Sequence, residues 1–286
     1  MKKIGITTDC VCDLPGEYLD LNDIGIAYFY ILTGTGRFRD GYEIDSRNII
    51  EYLENGGEKA ETIEPTPSEY RELFGNYLEK YDEVIHICIS SYTSNAYENA
   101  LAAQKLMGEK GSSVHIIDSH HLSTGMGHMI IRAVEMRDKG CSSEEITEEM
   151  ESMKKKVSTS FIVMNADYLY RNGRISKTIR DISASLRIYP VLTMKDGKMT
   201  LKNIQSGSYE KAVVRYIKSE LRSSRRIDKK RLFITHAGCT VKMIAGIKAE
   251  VEKLCSFDEV IVTTASATVS GNCGPGAIGV LYVKDN

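Results

Sequence analysis

Glu83-Val84-Ile85-His86-Ile87-Cys88-Ile89-Ser90-Ser91-Tyr92-Thr93-Ser94-Asn95 sets the fold class of this chain. Glu83–Ile89 is a near-continuous apolar run of strand length, the pattern of a strand covered on both faces. Ser90–Ser94 is a hydroxyl-rich loop, and the residues from Asn95 to Glu109 read as a helix. Val114–Asp118 then returns as a second short apolar run. Strand, helix, strand at this spacing is a βαβ unit, which places the two strands parallel with a right-handed crossover.

The same rhythm extends in both directions. Upstream, Ile4–Thr8 reads as a strand that ends in the turn-prone Asp9-Cys10-Val11-Cys12-Asp13-Leu14-Pro15-Gly16. Ile26–Leu32 reads as one buried strand, and Ser46 as the cap of a helix that stops at Asn55-Gly56-Gly57. Thr66-Pro67-Ser68-Glu69 is a capping box with proline at the first helical position, so a helix runs from there to about Lys80. Downstream, a helix follows Gly125 as far as Lys139-Gly140, and Ser142 with Glu145 opens another to about Lys156.

Beyond Lys156 the rhythm changes. A strand over Ser160–Ala166 leads to Tyr170-Arg171-Asn172-Gly173-Arg174-Ile175 and a short helix ending near Leu186. Tyr189–Met194 and Lys198–Asn203 flank Lys195-Asp196-Gly197, and Asp-Gly between apolar runs marks a hairpin. A helix from Tyr209 to Ser223, a strand at Arg231–Thr235, a helix over Thr240–Cys255, and strands at Glu259–Thr264 and Ala277–Val283 complete the chain. The expected fold is α/β in two domains. Residues 1–158 form an N-terminal α/β/α domain on a parallel sheet, and residues 159–286 a C-terminal mixed-sheet domain. No Pro- or Gly-rich linker separates them, so a shared interface and a ligand cleft between them are expected.

Composition narrows the function. The 286 residues carry 42% hydrophobic and 27% charged side chains, which excludes disorder, and at roughly 150 residues per domain they allow two domains. A net charge of -2 gives no basic face for nucleic acid, so a nucleic-acid regulator is disfavoured, as is anionic membrane. No apolar run approaches the roughly 20 residues of a spanning helix, so stable membrane insertion is not expected. The N-terminus is basic but reaches Asp9 before a signal-peptide core could form. The seven cysteines are odd in number and contain no C-x-x-C pair, which suits reduced thiols in the cytosol. Cys10 and Cys12 would lie on one side of an extended segment, and read as small side chains lining a loop. The histidines, His120, His121 and His128 among them, lack an H-x-x-x-H spacing, so neither metal nor cofactor is expected.

Enzyme motifs fail by context. Gly274-Pro275-Gly276-Ala277-Ile278-Gly279 spells a dinucleotide fingerprint but precedes a last strand instead of opening a helix. There is no phosphate-binding P-loop and no G-x-S-x-G elbow, and Asp118-Ser119-His120 are neighbours that point in different directions. What remains is a convergence of hydroxyls in loops at strand ends: Thr62, Ser90, Ser91, Ser94 and Ser119. Such hydroxyls, with the free N–H groups of a helix start at Asn95, form a site for a carboxylate or phosphate. Arg174 is its candidate cation. One alternative is an enzyme acting on a small carboxylate or phosphate ligand, with His236 as acid–base residue.

In order along the whole chain, these segments resemble the DegV family of bacterial fatty-acid-binding proteins. Thr8-Asp9-Cys10-Val11-Cys12-Asp13-Leu14-Pro15 is similar to the family's T-D-S-x-x-D-L-P, and Thr62-Ile63-Glu64-Pro65-Thr66-Pro67 to T-S-Q-P-S-P. Ile89-Ser90-Ser91-Tyr92-Thr93-Ser94-Asn95-Ala96-Tyr97 matches I-S-S-x-L-S-G-T-Y. Asp118-Ser119, Asn172-Gly173-Arg174-Ile175, Tyr189-Pro190-Val191-Leu192 and the Gly-Pro-Gly segment follow in the family's order. The resemblance implies a long-chain fatty acid in a tunnel between the domains, its carboxylate on Thr62 and Ser94 with Arg174 close by. It implies a carrier, not an enzyme, and as partner a separate fatty-acid kinase that makes acyl-phosphate. Asn272 stands where many members have histidine, and Gln205 where an arginine is expected. A carboxamide cannot become cationic or shuttle a proton, so these changes argue against the hand-off to a kinase.

Overall fold

Every residue of Ile4–Asp9 is buried, and so is every residue of Glu83–Cys88. In a computed structural model describing residues 2–57, 60–184, 187–223 and 226–285, these are neighbouring strands at the centre of a parallel sheet. The first half runs β1 (Ile4–Asp9), α1 (Gly16–Leu21), β2 (Ile24–Ala27), β3 (Tyr30–Thr33), β4 (Gly36–Arg39), α2 (Ser46–Glu54) and β5 (Glu61–Ile63). It continues with α3 (Pro67–Leu78), β6 (Glu83–Cys88), α4 (Ala96–Leu106), β7 (Val114–Asp118), α5 (Thr124–Asp138) and α6 (Ser143–Lys156). The sheet order is β2-β1-β6-β7, parallel throughout. Both expected capping boxes form. Thr66 and Ser142 each accept from a backbone N–H three residues on at 3.3 Å, and Glu69 and Glu145 accept the reciprocal bonds at 2.7 Å.

Three readings of the first half need correction. Ile26–Leu32 is two strands. β2 pairs with β1 only as far as Ala27 opposite Asp9, where β1 ends, and the chain then leaves for a small antiparallel sheet ordered β4-β3-β5. The partner's end, not the apolar run, set the strand's length. Cys10–Cys12 is a 3-10 turn ending at left-handed Asp13, so its thiols do not share a side. The cap of α2 is Asp45, which accepts from Asn48 N at 2.9 Å; Ser46 instead shares a 2.6 Å bond with Ser270.

The second half runs β8 (Val157–Ile162), α7 (Asp167–Arg171), α8 (Lys177–Ser183), β9 (Ile188–Lys195), β10 (Lys198–Ser206), α9 (Tyr209–Ser223) and β11 (Ile227–His236). It ends with α10 (Val241–Leu254), β12 (Glu259–Thr264), α11 (Ala267–Cys273) and β13 (Ile278–Lys284). The six strands order β10-β9-β8-β13-β11-β12, and only β11 and β12 are parallel, which makes the sheet mixed. The hairpin forms at Asp196-Gly197, both left-handed (φ 49° and 80°), as a tight Asp-Gly turn requires. β8 starts and stops earlier than read, and the single short helix is two, α7 and α8; its expected end at Leu186 lies outside the described residues. Helix α11 was not expected. Its sequence, Ala-Thr-Val-Ser-Gly-Asn-Cys, is poor in helix formers, so external contacts must hold it.

The two sheets are joined through α5, whose first turns are almost wholly buried. At Gly125 an added Cβ would lie 2.0 Å from Thr159 Oγ1, so only glycine lets α5 start this close to β8. Thr124 and Thr235 share a hydroxyl bond of 2.7 Å, and His128 Nε2 lies 3.1 Å from Leu281 O. Burial holds His128 down at about 4, which keeps that junction uncharged at neutral pH. Ile31 of the small sheet, Ile44 of the loop after it, and Ile49 and Ile50 of α2 share a core with Phe161, Leu192, Ala237 and Cys273 of the second half.

Candidate functional site

Four distant chain segments meet beside α11. Thr62 comes from β5, held opposite Ile31 on β3. Asn272 is in the last turn of α11; its Nδ2 donates to Thr268 O at 2.8 Å within the helix and to Thr62 Oγ1 at 3.3 Å. Arg174 follows Gly173, which takes the left-handed turn after α7 (φ 70°). Its Nε donates to Asn272 Oδ1 at 3.1 Å and its Nη1 to Thr93 O. Ser94 precedes α4, where its Oγ accepts from Ala96 N at 3.2 Å and donates to Glu64 Oε1 at 3.0 Å. Asn95 N points at the same Glu64 oxygen, 3.4 Å away. Asn99 Nδ2 fixes the Glu64 loop from α4 by donating to Pro65 O at 2.8 Å.

Thr62, Ser94, Asn95, Arg174 and Asn272, read from sequence as site residues, are therefore brought together. Ser90, Ser91 and Ser119 are not. Ser90 Oγ donates to Gly197 O of the hairpin at 2.6 Å, Ser91 Oγ to Asp118, and Ser119 Oγ to His121 O at 3.1 Å. The first two tie loops to each other across the strand ends, and the third stiffens its own loop. Glu64 belongs to the cluster, although the sequence marks it only as part of the Thr62–Pro67 motif. The signal available was its place two residues after Thr62 in the loop that faces the start of α4.

The cluster has acceptors, donors and one cation. Thr62 accepts from Asn272, which leaves its own hydroxyl proton to donate. Arg174 spends the two bonds above on neutral oxygens. Asn272 is followed in α11 by Cys273, so the helix carries a polar group into the cluster and an apolar one behind it. Cys273, Val269, Phe161, Leu281, Ala277 and Ile278 line a crevice of about 30 Å³, almost entirely apolar, between α11 and the second sheet. On the solvent side, Arg174 and Thr93 wall a groove of about 270 Å³ with Tyr92, Lys198 and Met199. The crevice has room for about one methylene, and Thr62, Ser94, Arg174 and Asn272 are not among the residues that line it, so the tunnel expected between the domains is not open in this structure.

His236 lines the crevice near its polar edge. Burial lowers its basicity, and Cys239 N lies 3.4 Å from its Nδ1. Among the described residues, Asp9, His86 and Cys88 alone could hold a metal ion. Asp9 accepts from Tyr70 Oη at 2.6 Å and Ile89 N at 2.8 Å, and His86 Nδ1 sits 2.9 Å from Thr7 Oγ1, while His86 Nε2 has no hydrogen-bond partner and lies 3.5 Å from Asp9 Oδ1. Burial pushes the Cys88 thiol well up, so it would be a poor ligand. This group fastens the strand ends.

A family model described as an uncharacterised protein family, DegV, matches residues 3–285. The chain belongs to the DegV family. A DegV domain-containing protein of Caldanaerobacter subterraneus is 27% identical over 284 residues, covering 99% of each chain. A DegV family protein from Thermus thermophilus, whose structure is described as showing fatty acid binding, superposes with a TM-score of 0.89 at 25% identity, covering 99% of this chain and 100% of that one. A Thermotoga maritima DegV protein described as lipid-binding superposes with a TM-score of 0.85 at 22% identity, covering 99% and 100%. The DegV fold therefore places the Thr62, Ser94, Arg174 and Asn272 cluster on an architecture shared with proteins described as lipid binders. Among the described residues, no helix is long and apolar enough to cross a membrane.

Proposed function

We propose that this DegV protein is a cytosolic carrier that binds one long-chain fatty acid between an N-terminal domain, residues 1–158, and a C-terminal domain, residues 159–286. The observation that carries this reading is the meeting of Thr62, Ser94, Arg174 and Asn272 at the polar end of α11, with the apolar crevice behind it. At about 0.8 kcal/mol per buried methylene, a chain of about 14 methylenes contributes on the order of 11 kcal/mol of gross transfer energy. Association and chain ordering take back several kcal/mol. The chain supplies the strength of binding, and the head group its orientation. At about 30 Å³ the crevice has to widen to admit an acyl chain.

Carriage fits this cluster better than catalysis on a small carboxylate. Among the described residues no imidazole contacts Thr62 or Ser94, so neither hydroxyl is paired with a base of suitable strength. Titration of the delipidated protein with saturated fatty acids tests the reading. It should saturate at one per chain, with affinity falling about fourfold for each methylene removed. Equal affinity for butyrate and palmitate would refute it.

Hand-off to a fatty-acid kinase is expected to be poor. Asn272 is committed as donor to Thr62 and acceptor to Arg174, and it cannot become cationic beside a growing phosphate charge. Loaded protein supplied with a fatty-acid kinase and ATP should turn over slowly, and Asn272→His should gain activity. Turnover by the parent equal to that of a histidine-bearing DegV protein would overturn the expectation.

A further inference from the structure

A carboxylate of the protein's own already occupies the head-group cluster. Glu64 Oε1 takes the hydroxyl of Ser94 at 3.0 Å and faces the backbone N–H of Asn95 at 3.4 Å, two donors that an incoming anion would otherwise use. The neighbouring charges do not make room for a second anion. On α3, Glu69 accepts from Tyr30 and Thr66 and lies 3.7 Å from Arg37, so that cation is already matched. Glu98 in the first turn of α4 adds negative charge on the helix that follows the loop. Arg174, across the cluster, is the one cation among the described residues that bonds to it, with Lys198 further out in the groove. One guanidinium against Glu64 and an ionised lipid leaves a net negative charge in a half-buried site, and like charges there disfavour double ionisation.

We propose that the head-group site of this protein takes a long-chain lipid whose head is uncharged and donates a hydrogen bond to Glu64, either a fatty acid in its carboxylic-acid form or a long-chain alcohol. This rests on the fatty-acid reading above and specifies its head group. In the bound state the lipid O–H donates to Glu64, Thr62 Oγ1 donates to the lipid oxygen, and Ser94 holds Glu64 in place. For a fatty acid that is ionised in solution, binding then takes up one proton, and affinity falls as pH rises.

The test measures binding of palmitic acid and of 1-hexadecanol, delivered from cyclodextrin, to the full chain and to Glu64→Gln between pH 6 and pH 8. The parent should lose about tenfold in palmitate affinity per pH unit, with one proton taken up per lipid by calorimetry in two buffers. Hexadecanol affinity should not change with pH. Glu64→Gln keeps the shape of the side chain and removes its charge; its palmitate affinity should vary less than threefold over the range and exceed the parent's at least tenfold at pH 8. Pronounced pH dependence with weak hexadecanol binding would assign the site to the acid form, and tight hexadecanol binding at pH 8 to the alcohol. Palmitate affinity in the parent that is flat with pH and within threefold of Glu64→Gln would overturn the proposal and leave the fatty-acid reading standing. Failure of parent and variant to bind either lipid at any pH would overturn both.

Discussion

Replacing both Thr62 and Ser94 with alanine is expected to weaken fatty-acid binding at least tenfold and to move the melting temperature by no more than a few degrees. Thr62 offers the head group a hydroxyl proton, because its oxygen already accepts from Asn272. Ser94 fixes Glu64 by a 3.0 Å bond, so its loss misplaces the acceptor of the lipid O–H, and the comparison is made at pH 6, where the acid form binds. Two hydrogen bonds at about 1 kcal/mol each, or more where one partner is charged, exceed the 1.4 kcal/mol that tenfold requires. Stability is spared because both side chains are only half-buried. Asn272 keeps its bond to Thr268 O, and the start of α4 can turn to water. Fluorescent fatty-acid displacement beside a thermal melt checks this. Unchanged affinity would place the head group elsewhere.

Asp40→Ala should have the largest effect on stability, about 2–4 kcal/mol, and should weaken lipid binding as well. Asp40 is fully buried and accepts from Ala267 N and Thr268 N, each at 2.8 Å, so it closes the N-terminus of α11 from a distant part of the chain. Ser266 also caps the helix, accepting from Val269 N at 3.3 Å, but seven residues of weak helix formers depend on more than one such contact. With Asp40 gone, two buried donors lose their acceptor and α11 loosens. Asn272 and Cys273, at its far end, then lose their places in cluster and crevice. Chemical denaturation and lipid titration of the same variant test both parts. A denaturation midpoint equal to the parent's would mean that Ser266 alone holds the helix.

The sequence was most legible where one signal decided the local structure. Capping boxes at Thr66 and Ser142, the Asp-Gly turn, and strands Val114–Asp118 and Glu259–Thr264 all stand where local chemistry puts them. It was least legible where a distant partner decides. Nothing between Ile26 and Leu32 announces that β1 ends at Asp9 and leaves β2 without a neighbour. Ala267–Cys273 is poor in helix formers, and besides the local cap Ser266 its first turn is closed by Asp40, more than two hundred residues away in sequence. The site divides in the same way. Thr62 and Ser94 were legible as hydroxyls in loops where a parallel sheet gathers ligands and Arg174 as a cation in a glycine turn, whereas Asn272 was legible only through the family resemblance. Ser90 and Ser119 are the same residue type in the same kind of loop, but the tertiary structure spends Ser90 on Gly197 and a local turn spends Ser119 on His121. Glu64 was missed because an acidic residue is not an expected part of a carboxylate site.

Native mass spectrometry of the protein as purified tests the central claim most directly, because a carrier that buries an alkyl chain retains it through gentle purification. The spectrum should show the chain with one added long-chain fatty acid or alcohol, released as a single lipid class on denaturation, and the added mass should diminish in the Thr62→Ala/Ser94→Ala variant. A spectrum of bare protein that stays bare after incubation with palmitic acid at pH 6 would contradict it.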